Sequence, residues 1–191
     1  MKEYLEVSDY IDWQDSNIIA LAKKLAEGKT SDVDITKACF EWVRDEIKHS
    51  WDYKLNPVTC KASDVLEHGT GYCYAKSHLL AALLRANNIP TGLCYQRLSI
   101  NDDGAPYSLH GLNAVYLKEF GWYKIDARGN KESVDAQFIP PKEQLAFPIN
   151  DANEKYFPDI LVKPHKNVVD VLTRCKTVKE VFDNLPDAEE I

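Results

Sequence analysis

The chain has 191 residues, 45% hydrophobic and 28% charged, enough for one well-cored domain and too few for a second full one. Its formal net charge of −7, with basic residues scattered along the chain, argues against a nucleic-acid partner, which usually demands a basic patch. Charged residues near Met1 and the lack of a long apolar run exclude a signal peptide and a membrane span from this reading, so the expected location is cytoplasmic, with a processed leader as the alternative. The five cysteines (Cys39, Cys60, Cys73, Cys94 and Cys175) are odd in number and loosely spaced, which suits reduced thiols.

In chain order, Ile18, Ile19, Leu21, Ala22 and Leu25 recur at helical spacing after the capping candidates Asp15-Ser16-Asn17, and Gly28 is placed to end that helix. A second helix follows Ser31-Asp32-Val33-Asp34, and its stripe of Ile35, Ala38, Cys39, Trp42, Val43 and Ile47 makes Cys39 a core residue. Residues 49–59 are irregular and aromatic and read as a loop able to line a pocket; Ala62 to Leu66 start a short helical turn. Gly69-Thr70-Gly71-Tyr72 then opens into a helix running from Cys73 to about Asn87, apolar over much of its circumference and therefore central. Lys76 and Arg85 are expected to be solvated charges on it. Strands follow over residues 91–100, 109–117 and 121–126, so helices precede a run of strands and the class is α+β. The polar segment Ser99 to Ser108 reads equally as a lid or as a solvated hairpin loop. Beyond Asn130 the prolines suggest a strap, with short helices at residues 167–173 and 177–182. The whole reads as one domain over 1–191, with a core at about 36–130, N-terminal helices over 1–35 and a C-terminal strap with short helices over 131–191.

Cys73 is the most informative residue. A thiol in the first turn of a helix faces unsatisfied backbone N–H groups and the positive end of the helix dipole, which favour the thiolate. His110 at a strand start and Asp126 at the end of the next strand supply a base and a group to orient it, the set required for acyl transfer. The two must point the same way. With Leu117 opposite Gly121, Asp126 falls opposite Leu112, diagonal to His110 and within its reach, whereas an even-length loop without a bulge would put them on opposite faces.

Plainer readings stand beside these: Cys73 as a buried structural thiol, His110 as a core histidine, Asp126 as a turn residue. His78, five residues after Cys73, lies on another helix face and is a poor rival base. Cys60, Cys94 and Cys175 read as small hydrophobes. The backbone N–H of Cys73 is one candidate oxyanion donor; the Trp51 N–H or Tyr53 O–H is a candidate second, either ring serving equally as plain packing. Tyr72 and Tyr74, flanking the thiol, are candidates for substrate contact. A zinc site at Cys73, His110 and Asp126 is a further reading, although the short-spaced ligand pairs typical of zinc are missing. No cofactor is expected.

Gly71-Tyr72-Cys73, the run Leu79 to Ala86 with Ile89-Pro90, His110 leading to Val115-Tyr116-Leu117, and Gly121-Trp122-Tyr123-Lys124-Ile125-Asp126 together resemble the transglutaminase-like superfamily. Val43-Arg44-Asp45-Glu46-Ile47 and Leu145-Ala146-Phe147-Pro148 resemble its small bacterial members, candidate cysteine proteases. The resemblance implies a papain-like fold with the helix of Cys73 packed on an antiparallel sheet, and a Cys73, His110, Asp126 triad. It departs from the family at Gly111, where alanine is common, at Tyr72 and Tyr74, and at Ala127-Arg128-Gly129. The function it implies is attack on an amide or peptide bond through a thioester that water resolves. An amine acceptor, as in protein-glutamine transglutaminases, and a noncatalytic binding module are the alternatives. The expected partner is a peptide, protein or small amide.

Overall fold

A computed structural model describes residues 1–101 and 103–191; of the segment Ser99 to Ser108, Asp102 lies outside the described residues. Helix α1 (Ser16–Ala26) is capped by the Asp15 carboxylate, which accepts from the N–H groups of Asn17 and Ile18, and α2 (Asp32–Glu46) by the Ser31 hydroxyl, which accepts from Asp34 N–H. A two-residue strand β1 (Lys48–His49), a single helical turn α3 (Ser50–Tyr53) and α4 (Ala62–His68) lead to β2 (Thr70–Gly71), which pairs in parallel with β1 so that His49 sits beside Gly71. Residues 49–59 are thus more ordered than a plain loop. One turn of helix and a two-residue strand are too short to leave a periodic signature.

Helix α5 (Cys73–Ala86) is buried along almost its whole length, Leu79, Leu80, Ala81, Ala82, Leu83 and Leu84 all with no solvent exposure, and it packs on β3 (Thr91–Ser99) and β4 (Tyr107–Leu117). The antiparallel sheet runs β5-β4-β3-β8, with β5 at Gly121–Ile125 and β8 at Lys155–Tyr156. The α+β class and the central helix on an antiparallel sheet are as the sequence indicates. Strand β4 begins earlier than expected, because Tyr107 and Ser108 pair with Ser99 and Leu98, so His110 lies inside the strand rather than at its start. The strap carries a small hairpin, β6 (Gln137–Ile139) with β7 (Lys142–Gln144), and the chain closes with α6 (Lys166–Arg174) and α7 (Val178–Asp183).

Lys76 and Arg85 are not solvated; they are 0% and 2% exposed. Lys76 Nζ donates to the carbonyls of Arg44 and Ile47, where α2 ends and its last carbonyls lack intrahelical partners. Arg85 donates to the carbonyls of Glu6, Thr91 and Val162, tying three distant segments together. Both cations are satisfied by backbone oxygens, a partnership invisible in a pattern of side chains. All five cysteines are free and buried. Among the described residues, no helix is long and apolar enough to cross a membrane.

Burial, reinforced by nearby Arg128, pulls the Lys76 ammonium down to about 7 from 10.5. Between those values the unfolded chain holds a proton that the folded one has released, so this group's contribution to stability rises with pH. Comparing urea unfolding of wild type and Lys76→Met from pH 7 to pH 10, the difference should move in favour of wild type; a pH-independent difference would remove the depressed ammonium. Gly111 presents a steric test, since a Cβ there would lie 3.0 Å from Tyr74 Cδ1 and 3.1 Å from Tyr74 Cα. Gly111→Ala should therefore lower stability by about 1–3 kcal/mol in the same assay, and an unchanged urea midpoint would show that Tyr74 moves aside freely.

Candidate active site

Cys73 opens α5 behind Tyr72, whose extended backbone (φ −64°, ψ 164°) serves as the N-cap without a side-chain cap. The turn before it is held by Thr59, whose hydroxyl donates to Thr70 C=O at 2.9 Å, and by Lys48 N–H on Gly69 C=O at 3.0 Å. The nucleophile candidate therefore sits on a helix whose preceding turn is tied to β1.

The sheet register is the one that alternation requires. Leu117 pairs with Gly121 and Asn113 with Ile125, so continuing the ladder sets Asp126 opposite Leu112 and diagonal to His110. His110 Nε2 and Asp126 Oδ2 are 2.7 Å apart. Asp126 is 1% exposed, and its carboxylate also accepts from Arg128 N–H at 3.1 Å and Ala146 N–H at 3.1 Å. Burial acts to raise its pKa, but the charge and hydrogen bond of His110 with these two N–H groups hold it below the ordinary carboxylate value. For His110, burial pulls the other way, yet the Asp126 carboxylate and the adjacent Cys73 sulfur raise the ring well above an ordinary histidine, to about 10. With Nε2 committed to Asp126, Nδ1 is the nitrogen left to exchange a proton with sulfur. Phe147 packs edge-on against the imidazole, with centroids 5.0 Å apart, shielding it from water.

Cys73 and His110 line one cavity of about 340 Å³. Of the aromatic candidates, Trp51, Tyr72 and Tyr74 also line it, whereas Tyr53 is 57% exposed beneath the Lys48 ammonium and is not brought to it. Tyr53, at the end of the single turn α3 and outside the cavity lining, offers no oxyanion donor here. Trp51 stacks on Phe182 at 3.7 Å with Lys54 over the ring, the environment of a packing wall. The hydroxyls of Tyr72 and Tyr74 are committed to the carbonyls of Val178 and Leu109.

Several lining residues escaped sequence reasoning. Asp52 pairs with Arg128 at 2.6 and 3.1 Å and with Lys131 at 3.0 Å; although burial opposes it, these cations hold its carboxyl down to about 2. His49 lies 3.5 Å from Asp52, and burial with the nearby Arg128 keeps its ring neutral. Glu154 accepts from the N–H groups of Ser99, Asn150 and Asp151, which ties the end of β3 at the cavity to the turn at residues 150–151. Only the Arg128-Gly129 turn carried a local signal. His78 faces away from Cys73, with Nδ1 2.7 Å from Cys60 C=O. Among the described residues, no three His, Cys, Asp or Glu side chains converge in a way that could hold a metal ion.

No curated protein matches this sequence. Among solved structures, a candidate cysteine protease from Cytophaga hutchinsonii is similar at 21% identity and TM-score 0.51, covering 65% of this chain and 40% of its own. The periplasmic domain of TgpA from Pseudomonas aeruginosa is similar at 18% identity and TM-score 0.48, covering 65% of this chain and 45% of its own. The chain thus spans less than half the length of either. The model of the transglutaminase-like superfamily matches residues 19–127, more than half of the chain and all of the segment from α2 through Asp126, so this chain belongs to the transglutaminase-like superfamily.

Proposed function

We propose that the protein is a cysteine-dependent acyl-transfer enzyme in which Cys73 attacks an amide or peptide carbonyl and water resolves the thioester. The observation that carries this reading is the buried His110–Asp126 contact of 2.7 Å opening onto the cavity that Cys73 lines. In the resting pair His110 already holds the thiol's proton at Nδ1 as imidazolium, and the sulfur attacks the carbonyl carbon. The resulting oxyanion faces the start of α5, whose first N–H groups lack intrahelical acceptors. Collapse breaks the C–N bond, and the imidazolium gives its proton to the departing amine. Water then loses a proton to His110 as it attacks the thioester, and the thiol leaves reprotonated with a carboxylic acid as product. Asp126 keeps the ring oriented and stabilises its charged form throughout.

Incubation with a library of amides and peptides, followed by intact-protein mass spectrometry, should show an acyl adduct on Cys73 that decays to free acid. Cys73→Ala should abolish it, and Asp126→Asn should slow turnover by about 10²- to 10⁴-fold. No adduct and no turnover across the library would remove the enzyme reading; diversion of the acyl group to an added primary amine in preference to water would make the enzyme an amine acyltransferase instead.

The ion pair has its own signature. The raised His110 contributes stability that is full below about 6.5, the ring's unfolded value, and is lost as pH rises through about 10. Asp126, held low, contributes stability that is full above the ordinary carboxylate range and is lost as pH falls through its depressed value. In NMR titrations the His110 ring should remain imidazolium through neutral pH in wild type and become neutral in Asp126→Asn. A ring already neutral at pH 7 in wild type would contradict the pairing.

A further inference from the structure

After α6 the chain returns to the cleft and runs along its sheet side. Strand β5 stops at Ile125, opposite Asn113, which leaves β4 without a strand partner on that side from Leu112 back to Tyr107. A free edge beside a nucleophile is where an extended peptide adds as an extra strand, its main chain bonding the edge N–H and C=O groups. Here both main-chain groups of Leu109, the residue before His110, are already taken from within. Leu109 N–H donates to Pro186 C=O at 2.7 Å, and Leu109 C=O accepts from the Tyr74 hydroxyl. Phe182 and Leu185, from the same return, form part of the cavity wall.

The return is anchored along its length. Val178 N–H donates to Asn56 Oδ1 at 2.8 Å, Val178 C=O accepts from Tyr72, and Phe182 stacks on Trp51. Farther on, Asp187 pairs in bidentate fashion with Arg97 at 2.7 and 2.6 Å, and its carbonyl accepts from Asn167 Nδ2 at 2.9 Å.

We propose that residues 182–187 act as a built-in strand-edge occupant and specificity determinant. By holding Leu109 N–H and walling the cleft with Phe182 and Leu185, they exclude the main chain of an extended polypeptide and admit amides carried at the end of a short, narrow group. The proposal rests on the reading of Cys73 as nucleophile for its consequence and on the Leu109–Pro186 contact for its geometry.

The test uses Asn167→Ala/Asp187→Ala, which loosens the far anchor without touching a cavity-lining residue, and Leu185→Asp, which sets a charge in the wall. Two alkylating probes are compared, iodoacetamide and a tripeptidyl chloromethyl ketone, each scaled to its rate with free cysteine, with modification at Cys73 assigned by peptide mapping. In wild type the peptidyl ketone should lag iodoacetamide by about tenfold or more, and the double variant should recover about tenfold for the ketone, the loss of roughly one charge-assisted contact, with iodoacetamide changed by about twofold or less. Amide hydrogen exchange read by NMR should show Leu109 N–H protected in wild type and exchanging about tenfold faster in either variant. Equal scaled rates for the two probes in wild type, or Leu109 protection that survives both variants, would overturn the proposal. Inertness of Cys73 to iodoacetamide in every form would instead strike the nucleophile reading, while exchange at Leu109 would still decide whether residues 182–187 occupy the edge.

Discussion

The Asp126 carboxylate is a charge removed from water, and most of the cleft is arranged around keeping it there. A buried carboxylate without donors would be too costly to remain ionised, so each oxygen must be met. His110 meets one oxygen and thereby has its ring position fixed. Arg128 N–H, two residues on, meets the other and turns the chain out of β5. Ala146 N–H comes from the strap, which must cross the end of the sheet to deliver it, and that crossing lays Phe147 against the imidazole. One buried charge thus couples the end of a strand, the direction of the following turn and the closure of the strap.

The same logic explains what was legible in the residues and what was not. Cys73, His110 and Asp126 can be located because a glycine turn before a helix and the two-residue alternation of strands constrain where side chains point, and the three-residue connection at Lys118-Glu119-Phe120 sets the hairpin register. The helices α1, α2 and α5 are visible through caps and periodicity. Lys76 and Arg85 were misread because their partners are carbonyls at the end of α2 and in chain segments far away, and backbone acceptors leave no mark in a sequence. Asp52 in α3, Glu154 before β8, and Phe182 with Leu185 at the C-terminal return reach the cavity from three distant parts of the sequence, so only the folded chain brings them together.

Lys76 and Arg85 also show how the central helix is seated. A helix buried on nearly every face and mostly apolar packs well, but its apolar surface carries little information about its rotation or its depth. Two buried cations whose donors must reach particular carbonyls supply both, because sliding or turning α5 would strand a charge. Placing Cys73 in the cavity wall is therefore partly the work of residues three and twelve positions along the same helix, neither of which lines that cavity.

The departures from the family at Tyr72, Tyr74 and Gly111 reduce to one arrangement. Tyr74 follows Cys73 and lies over Gly111, the residue after His110, at distances that would crowd a Cβ. Its hydroxyl reaches past that glycine to Leu109 C=O, so the ring straddles His110 from both sides in sequence. Tyr72, on the other flank of Cys73, spends its hydroxyl on Val178 C=O and so fastens α7 to the same turn. Buried phenols need such partners, and once bonded they are poor candidates for reading a substrate's polar groups. What they provide instead is a fixed spacing between the turn of Cys73, the strand of His110 and the returning chain, with their rings left to shape the cavity wall.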